Sequence, residues 1–141
     1  MSAVSPDRQW IAYESSESGS DEIYVRPFGL AERRVVISAG GGEFPVWSPS
    51  GHELYYLLNN RIMVVECRAE GGAFHAGKAR VWSNQQILDT GGPYQPYALA
   101  PDGKRFTVLL YPDGTAEQRV NLNLTYVVNF GDLLHRRLKT E

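Results

Sequence analysis

The stretch Phe44-Pro45-Val46-Trp47-Ser48-Pro49-Ser50-Gly51-His52-Glu53-Leu54-Tyr55-Tyr56-Leu57 decides the fold. An apolar run ends in a Ser-Pro-x-Gly turn, and a second apolar, aromatic run follows at once. Proline presets φ at the second turn position, and glycine supplies the left-handed conformation that closes the turn. Aromatic and β-branched residues bounded by Pro, Gly and Ser read as two strands of a hairpin. The pattern occurs three times. Ser5-Pro6-Asp7 leads into Trp10-Ile11-Ala12-Tyr13, and Pro101-Asp102-Gly103-Lys104 leads into Phe106-Thr107-Val108-Leu109. The first copy departs from the pattern, with Arg8 where the others have Gly51 and Gly103.

The prolines at 6, 49 and 101 are 43 and 52 residues apart. The first step suits the roughly 40–45 residues of a four-stranded propeller blade, and the second calls for a loop insertion. Further strands are predicted at Ile23–Val25, Ile62–Val65 and Leu124–Val128, with fourth strands at Arg34–Ile37 and Ala79–Trp82. The expected fold is all-β: a partial β-propeller of about 2.5–3 four-stranded antiparallel blades with a short C-terminal helix. Its units span roughly 1–43, 44–95 and 96–128, with the helix at 129–139. About ten strands are expected, and the first blade is read as lacking its innermost strand because almost nothing precedes Val4. Three units are too few for a closed ring, since rings carry about four to eight blades. Either two copies pair through blade edges into a six-bladed ring, or the chain is the tail of a longer protein.

The run Gly41 to Tyr56 resembles the repeat of TolB-type bacterial β-propellers, in which a Gly-Gly pair leads into a strand ending Trp-Ser-Pro-Asp-Gly. Ala100 to Phe106 is a second match and Ser5 to Tyr13 a third, so the likeness covers most of the chain. The segment Leu124 to Leu138 is similar to the ends of such propellers, where a last strand runs into a short basic helix. Many of these proteins carry kinase-like or regulatory domains, and related propellers sit beside serine peptidase domains. The resemblance implies recognition, gating or scaffolding. It carries over no catalytic residue, because the shared motif is a turn.

Composition narrows the classes. The 141 residues fit one domain, and a net charge of −2 gives no electrostatic reason to expect nucleic acid. No apolar run reaches the roughly 18 residues of a membrane span, and the N-terminus lacks signal-peptide features, so a cytoplasmic location is the default. Cys67 stands alone, which excludes an internal disulfide.

No motif demands a metal or a cofactor, and none is expected. Gly40-Gly41-Gly42 is followed by a strand where a phosphate loop needs a helix, so it reads as a turn between units. His52, His75 and His135 lack metal-ligand spacing; His52 reads as a turn residue and His75 as part of a Gly-rich loop. The acidic segment Glu14 to Glu22 lacks the alternation of a calcium loop and reads as a solvated hairpin loop. No Gly-x-Ser-x-Gly elbow is present.

In a propeller, the loop entering each innermost strand faces the central channel. Aligning the units on their prolines sets Gln95 opposite Glu43. Glu43, Phe44, Tyr94, Gln95 and Tyr97 are therefore the expected ligand-facing rim. Phe130, Leu133, Leu134 and Leu138 share one face of the predicted terminal helix, a candidate docking surface for a partner or second subunit. The leading functional expectation is a non-catalytic binding or scaffolding module. The alternatives are a hydrolase (esterase- or peptidase-like) or hydrolase accessory domain with its site at the ring centre or subunit junction, and a small-molecule sensor.

Overall fold

The computed structural model describes residues 1–29, 33–90 and 92–110. They form eleven strands and no helix: β1 (Ser2–Val4), β2 (Trp10–Ser15), β3 (Glu22–Pro27), β4 (Val35–Val36), β5 (Glu43–Trp47), β6 (Glu53–Leu58), β7 (Arg61–Glu70), β8 (Ala73–Ala76), β9 (Arg80–Val81), β10 (Tyr97–Leu99) and β11 (Phe106–Val108). The expected strand 124–128 and helix 129–139, with Phe130, Leu133, Leu134 and Leu138, lie outside the described residues.

The strands make three antiparallel sheets. Sheet 1 runs β1-β2-β3-β4, and sheet 3 is the pair β10-β11. Sheet 2 runs β5-β6-β7, with β8 and β9 both on the outer edge of β7. Sheet 1 corrects the sequence expectation, because its first strand is present. Ser2, Ala3 and Val4 pair with Tyr13, Ala12 and Ile11, so three residues suffice. β8 was also unforeseen. It forms because Gly71 and Gly72 both take positive φ (59° and 77°), closing a two-residue hairpin between Glu70 and Ala73. Asn59 and Asn60 do the same between β6 and β7, at φ 49° and 60°. The extra length of the second repeat step lies chiefly in residues 82–96. This connection buries Ile87 beside sheet 2 and hydrogen-bonds its N–H to the Asn60 carbonyl at 2.8 Å.

One backbone pattern underlies all three turns. The residue before proline donates its N–H across the turn: Ser5 to Trp10, Ser48 to Glu53 and Ala100 to Arg105, at 2.8–2.9 Å. Its carbonyl accepts from Arg8, Gly51 and Gly103 respectively, at 2.8–2.9 Å. Ser5 and Ser48 add their hydroxyls, accepting the N–H of Trp10 (2.9 Å) and Glu53 (3.0 Å). The glycines do more than permit positive φ. A Cβ on Gly51 would stand 3.6 Å from Pro6 Cδ, and one on Gly103 would stand 3.0 Å from Pro49 Cδ. The second and third turns thus each face the proline of the turn before, with little room for a side chain at Gly103.

The sheets stack in chain order. Five residues after each turn proline stand Ile11, Leu54 and Phe106, and seven after it stand Tyr13, Tyr56 and Val108. Leu54 and Tyr56 pack backward onto sheet 1, in a cluster with Trp10, Ala12, Ile23 and Val25. Phe106 and Val108 pack backward onto sheet 2, against a cluster with Tyr55, Leu57, Ile62 and Val64. Tyr55 and Leu57 come from the opposite side of β6, because successive side chains alternate faces. Sheet 2 is consequently buried on both sides. Phe74 of β8 wedges between Trp10 and Trp47, with ring centroids 5.0 and 6.0 Å away.

Candidate functional site

A cleft of about 440 Å³ opens at one end of the sheets. Its walls are the loop Gly40–Gly42 entering β5, the Asn59-Asn60 hairpin, and Asp89, Thr90, Gly92 and Pro96 ahead of β10, with Asp21 from the β2–β3 loop. These loops gather at one end because antiparallel strands place every second connection there.

The glycine loop is held by a carboxylate. Glu22, buried at the start of β3, accepts the N–H groups of Gly40 and Gly41, both at 3.0 Å, and the Ser38 hydroxyl. Burial pushes the Glu22 pKa up, but these donors and the Ser20 hydroxyl outweigh it and hold the group below the usual glutamate range. The loop therefore presents its N–H groups to the chain's own anion, which fills the place a phosphate would take. Gly42 leaves no room for a side chain: a Cβ there would meet Ser38 Oγ at 2.8 Å and Ile23 Cγ1 at 2.9 Å.

Glu43 and Phe44 both line the cleft. Glu43 is exposed, yet its carboxyl is raised above its ordinary value, first by partial desolvation at the cleft wall and then by the charges of Glu14, Asp21 and Asp89. Phe44 has φ 55°, an uncommon conformation for a bulky residue and more so before Pro45. It marks a break in the β5–β6 register between Glu43 and Val46, which turns the ring into the core beside Tyr97 and Ile87. Two contacts hold it: the Tyr97 hydroxyl donates to its carbonyl, and its N–H donates to Glu14 Oε2 at 3.3 Å.

The other three expected rim residues are placed differently. Tyr97 is buried and supports Phe44 from behind. Tyr94 is 73% exposed and lies outside the cleft lining, with its carbonyl accepting the Thr90 hydroxyl at 3.1 Å. Gln95 lines a second groove of about 370 Å³, where the edges of β1, β5 and β10 that pair with no other described strand come together with Pro6, Pro49 and Pro101. Sequence reasoning missed Asp21, Asn59, Asn60, Asp89 and Thr90 in the first cleft. The Asn-Asn pair was the usable signal, since it fixes a tight hairpin whose tip shares an end with the loop entering β5.

The remaining candidates are accounted for locally. Glu17 pairs with Arg34, and Glu14 lies 3.9 Å from the Met1 amino group. No group of three or more His, Cys, Asp or Glu among the described residues is arranged to hold a metal ion. His52 is exposed on its turn, while His75 lies in β8 opposite Arg68, a strand position that the loop reading did not foresee. Cys67 is 1% exposed, and burial pushes its thiol up to about 12, so it is unreactive at neutral pH. The Ser48 and Ser50 hydroxyls bond each other at 3.0 Å and cap turn N–H groups. The chain matches no protein-family model and no curated protein.

Proposed function

We propose that this protein is a non-catalytic binding or scaffolding module, built as a sector of a TolB-type β-propeller whose ring is completed by other sheets of the same kind. The observation that carries this reading is the repeated stacking relation. Leu54 and Tyr56 face sheet 1 as Phe106 and Val108 face sheet 2, with each turn glycine directed at the proline of the turn before it. A relation used twice in one chain is the hallmark of a repeat array, in which each unit buries its face on its neighbour. The first strands of all three sheets border one groove, as inner strands border a propeller's channel.

Within this reading the cleft beside Glu43 and Phe44 is the ligand-facing end. It combines carboxylates, amide side chains and a strained bulky residue held by its surroundings, and such strain gathers at ligand sites. Its side chains accept hydrogen bonds and bear negative charge, which suits a ligand rich in hydroxyl or ammonium groups. Ligand-observed NMR with amino sugars, polyols and basic peptides tests this, with Glu43→Ala as the comparison. Binding that Glu43→Ala weakens several-fold is the expected result. Turnover of an ester, peptide or glycoside that one side-chain replacement abolishes would overturn the non-catalytic reading in favour of a hydrolase.

A further inference from the structure

Among the described residues, no further sheet packs on the backward face of sheet 1 or on the forward face of sheet 3. On sheet 1 the backward positions are Ile11 and Tyr13, equivalents of Leu54 and Tyr56, both half-buried. The Arg26 and Arg34 guanidiniums lie over the Tyr13 and Tyr24 rings at 5.6 and 5.1 Å, while Val4 and Val36 alongside are 45% and 55% exposed. On sheet 3 the forward positions are Thr107 and Leu109, both exposed, with Ala98 alongside. The ladder of turns ends at the same two faces. Arg8 stands at φ 59° where Gly51 and Gly103 face the preceding proline, and no described glycine faces Pro101 in this way.

The two end faces can be compared, position by position, with the joint between sheets 1 and 2. Inside the chain, the large backward residue Tyr56 shares a core cluster with the small forward residue Ala12. Thr107 occupies the position of Ala12 in its own repeat, so Tyr13 over Thr107 repeats the match of large on small. Arg8 is also admissible at such a joint. At the first internal step a Cβ would sit 3.6 Å from the proline, an ordinary contact. Resting on the propeller-sector reading above, we infer that a second copy of this chain docks head to tail, its third sheet covering Ile11 and Tyr13, with Arg8 of one copy against Pro101 of the other. The contact is heterologous, and any rotation other than a half-turn between copies gives a larger ring or an open filament. Light scattering would show either as a mass above the dimer, which would overturn the two-copy ring. With a half-turn, two such contacts close a ring from two copies. Six sheets then lie within the range of about four to eight that closed propellers use.

Single-cysteine variants of the full chain test the polarity. Arg8→Cys and Pro101→Cys change exposed positions, and the buried Cys67 contributes no background under mild oxidation. The mixture is expected to give a covalent dimer on a non-reducing gel, whereas neither variant alone does so. A dimer from Arg8→Cys alone would show head-to-head pairing and overturn the inference, as would a mixture that yields no link. Light scattering on Ile11→Arg should show half the wild-type mass with the strand circular dichroism retained; an unchanged dimer overturns the proposal. A wild-type dimer without the link defeats this polarity while the binding-module reading stands. Hydrolytic turnover by the linked dimer defeats that reading and leaves the polarity intact.

Discussion

Glu22 and Glu43 lie at the same end of the molecule, yet their environments push them in opposite directions, and pH separates them. Glu22 is held below the ordinary glutamate pKa by the donors that outweigh its burial. Its stabilising effect is therefore present above the unfolded pKa and fades as pH falls through the acid range. Glu43 is raised by partial desolvation and by three neighbouring carboxylates, so its charge opposes folding at neutral pH, weakly because the side chain is exposed, and ceases to do so once it is protonated. Glu22→Gln is expected to lose about 1.5–3 kcal/mol at pH 7, the worth of hydrogen bonds to a charged group. Glu43→Gln is expected to raise Tm at pH 7. Melting curves from pH 7 down to pH 3 should show both variants converging on the wild type, from below and from above respectively. Phe44 supplies a second residue-scale prediction. Its left-handed backbone is retained partly by the Tyr97 hydroxyl, which is buried with it. Tyr97→Phe leaves the Phe44 carbonyl without that donor and is expected to cost about 1–3 kcal/mol in chemical unfolding. A change below about 0.5 kcal/mol would show that packing alone fixes the bulge.

The Ser-Pro-x-Gly turn is the element on which the architecture depends, and its three copies differ informatively. Ala100 lacks the hydroxyl by which Ser5 and Ser48 cap the strand that follows. Ala100→Ser should supply it and raise stability by about 0.5–1.5 kcal/mol, the net worth of an added hydrogen bond. Gly103→Ala combines φ 68° with a Cβ 3.0 Å from Pro49. It should destabilise by more than the roughly 1 kcal/mol that left-handed backbone alone costs an L-residue, while Arg8→Gly stays neutral or gains slightly. Thermal melts of the three variants check this ordering. Turn chemistry was legible in the sequence because proline and glycine restrict φ locally. The meaning of Arg8 was not, because it depends on whether another turn lies against that position. Similarly, β1 was missed because Ser2–Val4 carries too few residues for a pattern and is defined by its pairing with Ile11–Tyr13. The β8 hairpin was passed over because Gly71-Gly72 reads as loop until Arg68 and His75 are seen opposite each other. In the site, Glu43 and Phe44 followed from the repeat register. The positions of Tyr94 and Gln95 did not, because residues 82–96 carry the insertion and break the equivalence with the loop entering β5.

At the scale of the molecule, the stacked sheets hold most of their apolar surface in two clusters, one on each side of sheet 2. Sheet 2 is the keystone, since Leu54, Tyr55, Tyr56, Val64 and Val65 are each no more than 2% exposed. Truncating one residue on each side of β6 should therefore act on different joints. Tyr56→Ala removes a ring from the sheet 1 joint and Leu57→Ala a side chain from the sheet 3 joint, each at about 2–5 kcal/mol, the usual range for large-to-small core changes. The two sheet faces are separated by the backbone of β6 and share few partners. A cooperative chain should lose its single transition under either change, whereas a modular array should lose one joint at a time. Repeat arrays gain stability from the sum of neighbouring interfaces, which favours the second behaviour. Hydrogen exchange resolves the alternatives. Leu57→Ala should speed exchange in β10 and β11 while β2 and β3 keep their protection, and Tyr56→Ala should reverse that order. Uniform acceleration throughout residues 1–110 in both variants would instead mark the three sheets as one folding unit.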